Sequence, residues 1–326
     1  MEKELKWAVL GTGVIANEMA QALQKMGKKL YAVANRTYDK AVEFAEKYGA
    51  EKVYEKIDDM FTDKESDIIY ITTPHNTHIK FMIEALKNGK HVLCEKSITL
   101  NSEELEEAVK IAKEKNLILG EAMTIFNMPL YTKLSDIVNS GKLGDVKMIQ
   151  VNFGSYKEYD MNNRFFNRNL AGGALLDIGV YAISITRLFM TSKPDNVLSQ
   201  VKYAPTGVDE QVGIIMMNKE QQMSTIALTL HSKQPKRVVI ACEKAYIEVL
   251  EYPRADKAKI VYTETGEIEE IEEGITANAL QYEMQNMEKS VKSGINQMKL
   301  EYTRDVMDIM TNLRKEWGMT YPEEEK

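Results

Sequence analysis

The apolar run Trp7–Leu10 ends in Gly11-Thr12-Gly13-Val14-Ile15-Ala16, and a helical pattern continues from Ala16 to Met26. A glycine-rich turn between a strand and a helix commits this part of the chain to a βα unit. In that context the G-x-G-x-x-G/A spacing is the pattern of a dinucleotide-binding turn. Gly11 permits the tight turn, Gly13 lets the backbone approach a pyrophosphate, and the small Ala16 lets the helix pack closely on the strand. The free N–H groups at the helix start carry partial positive charge that suits phosphates. The same turn can serve packing alone, so its meaning depends on the rest of the chain.

The first 122 residues repeat the strand–helix alternation. Apolar strands read at Trp7–Leu10, Leu30–Ala34, Ile68–Thr72, Val92–Cys94 and Leu117–Leu119, with helical patterns between them. Such alternation predicts a doubly wound parallel sheet, a Rossmann-type α/β domain over residues 1–122. The pattern changes after Ala122. A helix over Pro129–Asn139, a strand at Val146–Phe153, a long helix over Gly173–Met190 and a series of strands over 197–272 follow, with two helices at the end. Residues 123–326 therefore read as an α+β domain with an open, mostly antiparallel sheet, whose uncovered face invites dimerisation.

Bulk properties exclude several classes. The 326 residues suit two domains, each with its own core. A net charge of −7 without a Lys/Arg cluster argues against nucleic acid. The N-terminal Met1-Glu2-Lys3-Glu4 leads into a strand without a signal peptide, and no run reads as a bilayer span, so a cytoplasmic protein with no membrane partner is expected. The two cysteines, Cys94 and Cys242, lie in apolar strand-like runs without metal-site spacing and are expected as buried thiols.

Polar residues gather at the ends of the first domain's strands. Asn35 and Arg36 follow the second strand, about twenty residues past the glycines, where NAD sites carry an acid for the ribose. The cation of Arg36 suits a 2′-phosphate instead, so NADP(H) is the preferred cofactor, with NAD(H) possible. Thr73, Pro74 and His78 follow the next strand, at the carboxyl edge where ligands bind. Two histidines three apart have no acidic or cysteine partner at useful spacing, so no metal is expected. Glu95 and Lys96 follow the strand Val92–Cys94, where Glu95 can reach a nicotinamide ribose. In the second domain Asp177 and Tyr181 are four apart on one helical face after Gly172-Gly173. A phenol becomes a usable proton donor only when its pKa, ordinarily about 10, is brought down, and an ammonium such as Lys96 has that effect. Arg164, Asn167 and Arg168, just before the glycines, are candidate substrate contacts, or simply loop surface.

These motifs together resemble the glucose–fructose oxidoreductase/inositol dehydrogenase/MocA family. The resemblance is carried by GTGVIA, ANRTYDKAVEFAEKYG, TTPHNTH, CEKSITLN, SGKLGDV and GGALLDIGVY, in order over residues 11–181, and the last is most similar to the dihydrodiol dehydrogenase-like branch. It implies a cofactor on Gly11, Thr12, Gly13, Val14, Ile15, Ala16, Asn35 and Arg36, and a nicotinamide half lined by Thr73, Pro74, His78, Glu95 and Lys96. It makes Lys96 the catalytic lysine, with Asp177 and Tyr181 completing the site. The implied reaction is hydride transfer between NADP(H) and a secondary alcohol or ketone of a sugar, polyol or cyclic diol, by a homodimer or dimer of dimers. Two alternatives remain open: an NAD-dependent glycosidase of the same family, and a non-catalytic NADP(H)-binding regulator. Two positions depart from the family. Ser97 follows Lys96 where proline is usual, and Phe126 and Met128 stand where many relatives have Arg and His, which suggests a less polar substrate pocket.

Overall fold

All four residues of β1 (Trp7–Leu10) are buried, as a strand covered on both faces requires. The computed structural model describes residues 4–325; Met1-Glu2-Lys3, read above as leading into the first strand, lie outside the described residues. After β1 come α1 (Val14–Lys25), β2 (Leu30–Ala34), α2 (Tyr38–Tyr48), β3 (Lys52–Tyr54), α3 (Ile57–Thr62), β4 (Ile68–Ile71), α4 (His78–Lys87), β5 (His91–Glu95), α5 (Ser102–Glu114) and β6 (Leu119–Ala122). The strands are parallel in the order β3-β2-β1-β4-β5-β6. Strand order reverses between β1 and β4, so a ligand crevice is expected beyond their carboxyl ends. Local capping agrees with the sequence: Asn101 Oδ1 accepts from the Glu104 amide at 2.9 Å, and Glu104 accepts from the Leu100 amide at 3.0 Å.

The chain forms two compact units. The first comprises Met1–Met123 together with Leu280–Leu300, whereas the sequence reading assigned all of 123–326 to the second domain. Long-range contacts account for the difference. Trp7 Nε1 donates to Glu288 at 2.9 Å, and Lys28 pairs with the same carboxylate. Asn296 Nδ2 donates to Leu119 O at 2.8 Å, and the Met298 side chain lies where a Cβ on Gly120 would stand.

The second unit is Thr124–Ala279 with Glu301–Lys326. It contains α6 (Thr124–Asn127), α7 (Pro129–Asn139), β7 (Val146–Gly154), α8 (Val180–Phe189), β8 (Asn196–Tyr203), β9 (Asp209–Met217), β10 (Met223–Thr229), β11 (Gln234–Cys242), β12 (Ala245–Leu250), β13 (Lys257–Tyr262), β14 (Ile268–Glu272) and the helix Leu300–Glu316. Its eight strands run in the order β14-β13-β12-β11-β7-β10-β9-β8, antiparallel except where β7 meets β10. Alternation buries Ile149, Val151, Val212, Ile214, Ile226, Val238, Ile240 and Ile247 on one face. On the other face, register aligns Ile268, Val261, Tyr246, Ala241, Met148, Met223 and Met217 in one row across the strands. Ile268, Tyr246, Met148 and Met223 are exposed.

Two sequence expectations change here. Within Arg168–Phe189 an 18-residue window with a mean hydropathy of 1.3 does meet the length and composition of a bilayer span. Most of it is buried within the unit, and a helix apolar on all sides is what a core position demands. The long helix read over Gly173–Met190 also divides into a π-helical turn at Leu175–Gly179 and then α8. Of the cysteines, Cys94 is buried and Cys242 half-buried. Partial burial pushes the Cys242 thiol up to about 11.

Candidate active site

Gly11 closes β1 with φ +111°, and its amide donates to Ala34 O at 2.8 Å, tying the turn to β2. A Cβ there would stand 2.4 Å from Thr72 Oγ1, so the position excludes a side chain on conformation and space alike. Gly13 is different: it is extended, precedes α1, and has nothing within 4 Å of an added Cβ. That open space above the helix start is what an approaching phosphate needs, and Ala16 is fully buried beneath it. The cradle therefore fits a dinucleotide. Val14 points outward at 80% exposure, and Ile15 is half-buried. Asn35 Nδ2 donates to Thr12 Oγ1, and its Oδ1 accepts from the Thr37 amide at 3.3 Å, so Asn35 joins the glycine turn to the end of β2. Arg36 is exposed beside it, with no ion pair among the described residues.

The ends of β4 and β5 are locked together by two histidines. His75 Nε2 lies 3.0 Å from Lys96 O. His78, the first residue of α4, has Nδ1 3.0 Å from Ser97 O and Nε2 2.7 Å from Thr73 O. Burial lowers the His78 pKa while the carbonyls oppose that shift. His78, expected along the nicotinamide half, has a ring with no exposed surface and joins the two loops. Among the described residues no group of three or more His, Cys, Asp or Glu side chains is placed to hold a metal ion. Thr73 is half-buried and accepts from Thr77 Oγ1 at 2.8 Å, while Pro74 is exposed.

Lys96 follows Glu95 directly, and the Lys96–Ser97 peptide is cis. Tyr70 donates its hydroxyl to Glu95 Oε1, and Glu95 Oε2 accepts from the Lys96 amide at 3.3 Å. Glu121, buried on β6, accepts from the Ile98 amide at 3.1 Å. Tyr70 and Glu121 were not singled out from the sequence. Their polar groups lie within apolar strands, and only the pairing of β4, β5 and β6 shows that they face this loop.

In the second unit, Gly172 and Gly173 precede the π-helical turn. A Cβ on Gly172 would meet Phe165 O at 2.7 Å, and Gly173 adopts φ +122°. The Asp177 amide donates to Gly173 O at 3.3 Å. Asp177 Oδ1 lies 3.7 Å from the guanidinium of Arg164, which rests on the Phe165 ring at 4.4 Å. Tyr181, half-buried, packs against Phe153 with ring centroids 6.1 Å apart. Of the three candidate substrate contacts, only Arg164 is brought to Asp177. Asn167 accepts from the Asn169 amide at 2.9 Å, and Arg168 turns to Thr320 O at 2.9 Å and to Glu325. Phe126 and Met128, expected to make a pocket less polar, are both buried, with Phe126 edge-on to Tyr302. Lys96 is carried by the first unit, and Asp177 and Tyr181 by the second.

Comparison with known proteins gives the same family by an independent route. Residues 5–123 match the model of an oxidoreductase family with an NAD-binding Rossmann fold, and residues 131–248 match that family's C-terminal domain. Trans-1,2-dihydrobenzene-1,2-diol dehydrogenase of Xenopus laevis is 28% identical over 97% of this chain and 99% of its own. The human enzyme of that name is 26% identical over 99% of both. Among solved structures, a 3-ketoreductase from Actinomadura kijaniata with NADP and TDP-benzene superposes with a TM-score of 0.84, at 19% identity over 95% of this chain and 96% of its own. A levoglucosan dehydrogenase with NADH and levoglucosan gives a TM-score of 0.83, at 17% identity over 95% and 98%. With a glycine cradle, a braced strand-end lysine and both domains of the family matched, this chain belongs to the glucose–fructose oxidoreductase/inositol dehydrogenase/MocA family of oxidoreductases.

Proposed function

We propose that the protein interconverts a secondary alcohol and its ketone on a sugar, polyol or cyclic diol, with NADP(H) as the preferred dinucleotide. The observation that carries this reading is the Gly11 cradle beside the Lys96 loop, which His75, His78 and Glu121 brace. A nicotinamide dinucleotide held there would supply hydride transfer to or from the carbinol carbon. The Thr12–Ala16 turn and the α1 N-terminus bind the pyrophosphate, and Arg36 binds the 2′-phosphate. Glu95 and the Thr73-Pro74 turn hold the nicotinamide half. Lys96 binds the reacting oxygen and favours the phenolate of Tyr181. Tyr181 takes the hydroxyl proton in oxidation and returns it in reduction, while Asp177 orients both. The relatives are named a dihydrobenzenediol dehydrogenase, a 3-ketoreductase and a levoglucosan dehydrogenase, which supports this substrate range and a role in carbohydrate metabolism.

The row that holds exposed Met148 and Met223 beside half-buried Met217 supports a homodimer through the open sheet face, since contiguous apolar patches of this kind mark interfaces. A cytoplasmic location agrees with the free thiols Cys94 and Cys242.

The test is the absorbance of reduced nicotinamide when protein and NADP⁺ or NAD⁺ meet a panel of sugars, polyols and trans-diols. A rise with NADP⁺ that weakens in Arg36→Ala supports both reaction and cofactor. Tight NADPH binding with no turnover in either direction favours the regulator. Release of sugar from glycosides without net reduction favours the redox glycosidase.

A further inference from the structure

Met319 and Tyr321 anchor the segment after the helix Leu300–Glu316 in the second unit's core. Tyr321 is completely buried, and Arg314 is 2% exposed. Arg314 grips Glu324 with two parallel bonds of 2.7 Å, and its guanidinium lies 4.7 Å from the Tyr321 ring centroid. Glu324 in turn accepts from the Tyr321 amide at 2.9 Å. The Arg168 guanidinium adds bonds to Thr320 and Glu325. Met319–Glu325 is therefore a strap locked at several points.

The strap ends on the glycine turn. Tyr321 Oη donates to Gly172 O at 2.7 Å. From another direction Asp209, buried at the start of β9, accepts from the Leu175 amide at 2.6 Å and so caps the turn that follows. Gly173 lies between the two. A Cβ on it would stand 2.1 Å from Asp209 Oδ1 and 3.5 Å from Tyr321 Oη. Gly173 O then accepts from the Asp177 amide, and Tyr181 follows one turn on.

We propose that Tyr321 and Asp209 are positioning residues, which hold the Gly172–Gly173 turn from two sides and so set the placement of Asp177 and Tyr181. The inference rests on the reaction proposed above for that pair. It gives the C-terminal strap a role in turnover although none of its residues touches the reacting atoms. A hydroxyl on a fixed ring suits this role: the ring fills the space under Arg314, and one oxygen sets the height of the Gly172 carbonyl.

The decisive variant is Tyr321→Phe, which removes that oxygen and keeps the ring. Hydrogen exchange of the 172–182 amides, steady-state kinetics and NADPH titration are measured on variant and wild type. The expected result is exchange at least tenfold faster across 173–181 and kcat at least tenfold lower, with NADPH affinity and substrate KM within about twofold. Asp209→Asn, which keeps an acceptor for the Leu175 amide, is expected to retain slow exchange, and Asp209→Ala to lose it. Unchanged exchange in Tyr321→Phe overturns the proposal. So does faster exchange with unchanged kcat, because the contact is then only structural. If wild-type protein turns over nothing on the panel, the reaction assignment has failed. Exchange at the Asp177 and Tyr181 amides then decides alone whether the strap holds them.

Discussion

The buried imidazole of His78 stands 3.0 Å from Ser97 O on one side and 2.7 Å from Thr73 O on the other. One ring thus joins the loop after β4 to the loop that carries Lys96. A neutral imidazole has a single N–H and satisfies one carbonyl at a time, whereas the imidazolium satisfies both. Either form holds the two strand ends in register.

His78→Ala removes that link and leaves the two carbonyls to find new partners in a dry site. Orphaning a buried acceptor costs about 1–3 kcal/mol, so chemical denaturation should show a loss in that range. Turnover is expected to fall more than tenfold, because Lys96 loses its brace. A variant with full turnover would remove the loop-bracing role.

Gly11→Ala and Gly13→Ala separate folding from cofactor binding. The first drives a Cβ to 2.4 Å from Thr72 Oγ1 in a backbone conformation that disfavours side chains, and should destabilise the protein by about 1–3 kcal/mol. The second meets no protein atom within 4 Å. Its melting temperature should stay near wild type while NADPH affinity, followed by fluorescence titration, falls at least tenfold. Equal losses of stability in the two variants would contradict this assignment.

Burial raises the Asp209 carboxyl from 3.8 to about 7, with the Leu175 amide and the Arg314 charge opposing. The folded state therefore favours the protonated acid. Its contribution to stability is complete below about pH 4 and is lost as pH rises towards 7. The interval corresponds to at most about 4 kcal/mol. Asp209→Asn should flatten this slope in denaturation curves recorded from pH 4 to 8. Subtracting variant from wild type at each pH removes the opposite slope from His78, whose lowered pKa costs stability as pH falls. A difference curve that is flat or rises with pH would show that Asp209 is ionised throughout.

Met223 lies in the apolar row on the open sheet face, between Met148 and Met217. Met223→Asp places a charge there without disturbing the inward face. Sedimentation velocity should show a wild-type dimer converted to a folded monomer, with an unchanged circular dichroism spectrum. A wild-type monomer, or a variant dimer, would assign the row another role.

The sequence by itself determined what depends on neighbours along the chain. Apolar runs spaced by amphipathic helices specify the parallel sheet, because strand and helix periodicities are local. The Gly11–Ala16 turn, the Asn101 cap and the Gly172–Gly173 turn are legible for the same reason: each conformation is set within a few residues. Lys96, Asp177 and Tyr181 are legible as residues suited to the proposed chemistry, near element ends. Tertiary structure alone decided what supports them. Glu288 reaches Trp7 across 281 residues, and this long return gives Leu280–Leu300 to the first unit. His78, Glu121, Asp209 and Tyr321 carry polar atoms whose partners are backbone groups of remote segments, and backbone groups leave no mark in a sequence. Only folding shows that a histidine in a loop motif is a brace, or that a tyrosine near the end of the chain holds up a glycine turn 149 residues earlier.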